Sequence, residues 1–172
     1  MAVLIEGVSI VVDKATLEQA YPDYAQEVPN KTLTTDDHLV RIGFMSEDEA
    51  VDYGNKVARL IAEIPDKDVF SSMAIVKQND GIKTEATWLT FGKVLIVDEH
   101  EVSACWVTDD TDPQRVATPT NWKYAESLSD TGKGYSADEF TKRHTFLREE
   151  KGIKVYLDNE TQEEVFIGKT SL

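Results

Sequence analysis

The segment Val3–Val12, read as VLIEGVSIVV, constrains the fold more than any other stretch of the chain. Apolar residues fill both alternating positions, so a strand made from it shows an apolar side chain on each face. Such a strand needs cover on both sides, and the expectation is one strand in the middle of a sheet. Glu6 is the exception within it, because a buried carboxylate is costly unless it is partnered. A base such as Arg41, or an outward position at a sheet edge, is the expected resolution; a functional carboxylate is the alternative.

The elements that follow are written in capping and turn residues. Asp13 caps a short helix from Lys14 to about Ala20, limited by Pro22. Residues 38–45, HLVRIGFM, form a second strand. Ser46 and Glu49 have the spacing of a capping box and open a helix to about Ile64. Ala50, Tyr53, Val57, Leu60, Ile61 and Ile64 recur every three or four residues and make its apolar stripe. A meander comes next, with residues 70–78 and 82–91 flanking the turn signal Asn79-Asp80-Gly81. Gly92 is expected to break or bend the chain, and residues 93–97 and 102–107 to pair around 98–101. Ser136 and Glu139 predict a second capped helix to about Glu150, before a last hairpin of 154–157 with 164–168. The expected class is α+β, with a mainly antiparallel sheet, two principal helices and a C-terminal hairpin. Residues 1–172 read as one domain, in which 38–107 is a β-α-β-β-β unit and 136–172 a helix-and-hairpin end.

Charge narrows the function. Eighteen Lys and Arg face 32 Asp and Glu in 172 residues, a net charge of −14. That repels nucleic-acid phosphates and anionic membranes, so neither is expected as a partner. The last 37 residues hold eight acids and six bases, so the acidity belongs to the rest of the chain. The N-terminal residues lack a basic stretch, no apolar run approaches 18 residues, and the single Cys105 fits a reducing compartment. A cytoplasmic protein is the expectation. Residues 98–112 contain six acids and no base. If 102–107 is a strand, eight steps at about 3.4 Å place Glu101 and Asp109 roughly 25 Å apart. The acids then divide into a turn group (Asp98, Glu99, Glu101) and a loop group (Asp109, Asp110, Asp112), and the latter lacks the Gly and final Glu of a calcium loop.

The stretch HLVRIGFMSEDEAVDYGNKVARL, which starts at His38, resembles the opening of a vicinal-oxygen-chelate module. This is the superfamily of glyoxalases, extradiol dioxygenases and bleomycin-resistance proteins. The resemblance covers residues 38–107 in β-α-β-β-β order. It implies a small-molecule binder or metal-dependent enzyme in which His38 matches a ligand of a divalent transition metal. Carboxylates such as Glu101 and Glu6 would have to join it. Such a set suits Zn²⁺, Mn²⁺, Fe²⁺ or Ni²⁺ and could activate a substrate oxygen.

Other motifs carry less chemistry. Cys105 falls in mid-strand, where a thiol is a packing group. No G-x-S-x-G occurs, and Gly132-Lys133-Gly134 with Ser136 lacks the spacing of a phosphate-binding loop. His144 is expected on the second helix as a surface or packing residue. Trp88 and Trp106 lie on the meander and read as core. Trp122 and Tyr124 lie in irregular chain and are better contact candidates. The first functional expectation is a non-catalytic binding protein without a cofactor, for which an inhibitor or immunity type fits the charge. It would use Trp122, Tyr124, Asp109, Asp110 and Asp112 on a protein partner with a basic or neutral surface.

Overall fold

The structure is a computed structural model, described for residues 1–96, 100–110, 115–130, 142–150, 153–160, 162 and 164–168. The apolar N-terminal segment is not one strand. It forms β1 (Ala2–Leu4) and β2 (Val8–Asp13), which belong to different sheets. The break falls at Glu6-Gly7, where Gly7 takes φ 59°. That left-handed backbone suits glycine. A Cβ there would also stand 2.5 Å from the Phe44 carbonyl oxygen. The crossover therefore depends on a residue without a side chain.

β2 is the middle of a five-stranded sheet of order β3-β4-β2-β5-β6, where β3 is Thr34–Thr35, β4 Leu39–Phe44, β5 Met73–Lys77 and β6 Gly81–Ile82. It pairs antiparallel with both neighbours, Ile10 facing Ile42 on one side and Ile75 on the other. β1 lies in a four-stranded sheet of order β7-β8-β1-β9, with β7 Leu89–Leu95, β8 Glu101–Val107 and β9 Val116–Ala117. The β1–β9 pair is parallel and the other pairs of this sheet are antiparallel.

Alternation along β2 then explains the layers. Val8, Ile10 and Val12 share one core with Val40, Ile42 and Phe44 and with the helices α1 (Lys14–Ala20), α2 (Tyr24–Glu27) and α3 (Glu47–Ala62). Val11 faces the other way and packs with Leu39, Ala74 and Val76 against Val3, Ile5, Leu89 and Cys105 of the four-stranded sheet. Helices, five-stranded sheet and four-stranded sheet are thus three successive layers. The expected two-sided cover of the N-terminal segment is realised by β2.

α1 and α3 begin where the caps place them. The Asp13 carboxylate accepts from Thr16 N at 2.9 Å, and Ser46 Oγ from Glu49 N at 3.3 Å. Ala50, Tyr53, Val57 and Ile61 are the buried face of α3, with Leu60 partly buried beside them. The Asn79-Asp80-Gly81 turn does join β5 to β6, but β6 is only two residues long. The chain then leaves for the second sheet. β7 runs straight through Gly92, so the expected break there does not occur. The order β4-α3-β5-β6-β7-β8 is present in sequence, but β4, β5 and β6 lie in one sheet and β7 and β8 in the other.

The chain divides into two compact units, Met1–Gly134 and Tyr135–Leu172. In the second, residues 142 and 143 are helical, but the expected helix does not reach Glu150: residues 144–150 form a strand, β10 (His144–Glu150). It pairs with β11 (Ile153–Asp158), which pairs in turn with β12 (Glu164–Gly168), the expected hairpin. The capping pair Ser136 and Glu139 lies outside the described residues. Pairing with β11 decides the state of 144–150. One edge of the Arg143 guanidinium holds Asp158, Nε at 3.1 and 3.0 Å and Nη2 at 2.9 Å, and Nη1 reaches Glu160 at 2.8 Å. The architecture is α+β with mostly antiparallel sheets. Among the described residues, no helix is long and apolar enough to cross a membrane.

Candidate binding surface

The Glu6-Gly7 crossover is also where the irregular chain after β9 is tied down. One oxygen of the Glu6 carboxylate accepts from Ser129 Oγ at 2.6 Å, Ser129 N at 3.0 Å and the Trp122 indole Nε1 at 3.2 Å. Gln78 makes a second tie. Its Nε2 donates to the Leu128 carbonyl at 2.7 Å, and its Oε1 accepts from Gly7 N at 3.0 Å. Segment 122–129 is therefore fixed at both ends to one corner of the sandwich.

Beneath this corner lies Arg41, 1% exposed. It is the base the sequence suggested for Glu6, but it bonds that residue's backbone. Nη2 donates to the Glu6 carbonyl at 2.7 Å, Nε to Ser9 Oγ at 2.9 Å and Nη1 to the Thr32 carbonyl at 3.3 Å. Burial lowers its guanidinium to about 10, and the Glu6 carboxylate nearby offsets part of that. The guanidinium folds back over Gly43, where a Cβ would stand 2.2 Å from Nη2. Glycine at 43 is what makes room for a charged side chain inside the sandwich.

On the outside, the segment presents aromatic rings. Tyr124 opens a short 3-10 turn, Tyr124–Glu126. His100 stacks face to face on its ring, with centroids 3.8 Å apart and planes within 6°. Trp122 meets Tyr124 nearly at right angles, at 6.4 Å and 79°. Trp122, Tyr124 and His100 are all partly exposed. Lys123, between the two rings in sequence, is paired with Glu126 at 3.2 Å.

The other candidates scatter. Asp109 is exposed after β8, Asp110 pairs with the Met1 amino group, and Asp112 lies outside the described residues, as do Asp98 and Glu99 of the turn group. His38 is exposed at the start of β4, where its backbone N donates to Asp36 Oδ1 at 2.7 Å. β4 pairs Leu39 with Asp13 and Phe44 with Val8, so His38 and Glu6 stand at opposite ends of it. Six steps at about 3.3 Å separate them by about 20 Å. Glu101 begins β8 at the Glu6 end, as the pairing of Leu4 with Ala104 requires. One metal ion needs its ligands within about 2–2.5 Å, so His38, Glu6 and Glu101 do not fit a single site. Cys105 is fully buried, and burial pushes its thiol upward, away from the reactive thiolate.

Two clusters went unread in the sequence. Tyr21, at the C-terminal end of α1, converges with Glu27 of α2 and Lys56 of α3. Lys56 Nζ donates to Tyr21 Oη at 2.6 Å, and Tyr21 Oη donates to Glu27. Beside them the Tyr53 hydroxyl is buried with no hydrogen-bond partner among the described residues, and burial pushes it up to about 12. In the second unit His144 is buried on β10 with its Nε2 3.7 Å from Asp158, not on a helix. The helical spacing of Tyr53 and Lys56 was visible, but nothing local showed that α2 would bring Glu27 to them.

No family model matches the chain, and no curated protein or solved structure is significantly similar to it.

Proposed function

We propose that this chain is a non-catalytic, cytoplasmic binding protein that engages a protein partner through the Trp122–Tyr124–His100 surface. The observation that carries the reading is the pinning of segment 122–129. Glu6 and Gln78 fix a partly exposed tryptophan and tyrosine in place, whereas aromatic rings serving only the core would be covered. Rigid aromatic side chains lose little conformational freedom on binding and dominate interface energetics. The surrounding charge favours a basic partner, because complementary fields speed encounter and suppress wrong partners. An inhibitor- or immunity-type role fits such a surface.

The test is affinity capture from a cell extract with the wild-type chain and with Trp122→Ala, each at low salt and at about 0.5 M salt, where screening is strong. The reading requires a partner retained by the wild type, lost on Trp122→Ala and weakened by salt. Equal capture by Trp122→Ala would refute it.

A further inference from the structure

β7 is the last strand on one side of the four-stranded sheet, and among the described residues no strand pairs with its outer edge. The ladder shows which backbone groups stand on that edge. Thr108 N donates to the Trp88 carbonyl at 2.9 Å, and Ile96 N to the His100 carbonyl at 2.8 Å. Hydrogen-bonded pairs alternate along antiparallel strands, so Thr90, Gly92 and Val94 also turn their N–H and C=O groups toward β8. Phe91, Lys93 and Leu95 turn theirs outward. The Leu89 N–H, the first outward donor, goes to the Ala86 carbonyl at 3.2 Å, so the open stretch starts after it. Such a row of backbone groups is a template for another extended chain.

The side chains of this edge decide what fits it. Leu95 is 64% exposed. Lys93 is exposed as well, and its Nζ is bonded to a hydroxyl, Ser103 Oγ at 2.9 Å, rather than to a carboxylate. A second copy laid antiparallel with Lys93 at the centre would set two lysines directly across from each other, a destabilising pair. It would also bring together two chains of net charge −14. An edge lysine guards against self-pairing in this way and accepts an acid from a different chain. The edge also runs into the aromatic surface: Leu95 pairs with Glu101, Ile96 N bonds His100, and the His100 ring stacks on Tyr124 at 3.8 Å. We infer that β7 takes up an extended segment of the partner protein as an added edge strand, with an acidic residue across from Lys93 and an apolar one across from Leu95. The inference rests on the binding reading above for the existence of that partner. Main-chain bonds to Phe91, Lys93 and Leu95 supply affinity, and the alternate side chains supply selectivity. The acid is a requirement at one residue, compatible with a partner that is basic elsewhere.

The experiment is a titration of the full chain with the acetylated, amidated peptide Ser-Val-Thr-Glu-Thr-Val-Ser, which reads the same in both directions, followed by hydrogen exchange at backbone amides. The expected result is saturable slowing at Phe91, Lys93 and Leu95, with Gly92 and Val94, already in the ladder, unchanged. The same peptide with lysine in place of glutamate should bind at least threefold more weakly. Lys93→Pro removes an N–H that β8 does not use, a place where an edge strand tolerates proline. It should abolish uptake while β2 stays protected. Lys93→Ala should keep uptake and respond equally to the two peptides. Three results overturn the assignment: no slowing at the three amides, an equal response of the wild type to both peptides, or full uptake by a folded Lys93→Pro. The wild-type comparison of peptides decides the case if Lys93→Pro does not fold. Slowing of the same amides with rising protein concentration and no peptide would give the edge to a second copy and also overturn it. If the peptide fails but partner capture still depends on Trp122, the edge assignment falls and the binding reading stands. Edge uptake together with capture that ignores Trp122 keeps the edge and removes the aromatic reading.

Discussion

The two ends of β2 and β4 are built from the same ladder and finished in opposite ways. At the His38 end the chain closes on itself. Asp36 Oδ1 accepts the backbone N–H groups of His38 and Leu39, Asp13 caps α1, and the His38 side chain is left exposed. At the Glu6 end a glycine crossover, a buried arginine and a carboxylate with three donors hold a separate stretch of chain in place. A titratable side chain at a strand end is common and implies little. A carboxylate whose bonds all go to a distant segment implies that the position of this segment matters.

Changes at the Glu6 end should have the largest effect, with Arg41 first. Arg41→Ala removes the donor to Ser9 Oγ and one of the two side-chain donors on each of the Thr32 and Glu6 carbonyl groups, and opens a cavity. A loss of about 3–5 kcal/mol is expected in urea unfolding, since breaking such buried polar arrangements falls in that range. Glu6→Ala should cost less, about 1–3 kcal/mol, the usual penalty for stranding buried donors. Its signature is local: faster hydrogen exchange at the Ser129 amide and the Trp122 indole, with the centre of β2 still protected. Uniform acceleration across the protein would mean that Glu6 supports the whole sandwich and not the 122–129 segment.

Tyr53→Phe sharpens the comparison from outside both ends. Removing a buried hydroxyl that has no partner among the described residues should leave stability unchanged or raise it by up to about 1 kcal/mol. The same variant isolates a pH effect. Burial raises Tyr53 from 10.0 to about 12, so the folded state keeps a proton that the unfolded chain releases. The stability this lends is complete below pH 10 and is lost as pH rises toward 12. The wild type should therefore lose more stability than Tyr53→Phe over that interval, by urea unfolding at paired pH values. Parallel curves would contradict the buried assignment.

Much of the scaffold was legible because its signals are local. The Asp13 and Ser46 caps and the Ala50–Tyr53–Val57–Ile61 stripe lie within a few turns of the helices they define. The two-sided apolar pattern of Val3–Val12 correctly demanded cover on both faces. Its division between two sheets depends on the φ of Gly7 and on a carbonyl from β4, and neither is written in the pattern. The strand at His144–Glu150 depends on its β11 partner in the same way. The site was legible as residue types: Trp122 and Tyr124 stood out in irregular chain, and Glu6 stood out in an apolar strand. Their union did not, because it spans 116 to 123 positions of sequence. His100 as the ring against Tyr124 had no sequence signal at all.

The central claim is that the Glu6 end, through Trp122, is where this protein meets its partner. Its most direct test is partner capture by Glu6→Ala and His38→Ala side by side, both checked for folding by the protection of β2. The expected result is capture lost or reduced at least tenfold in Glu6→Ala and unchanged in His38→Ala, whose stability should stay within about 0.5 kcal/mol of wild type. Capture retained by Glu6→Ala and lost in His38→Ala would contradict the account and move the functional end to the other side of the sheet.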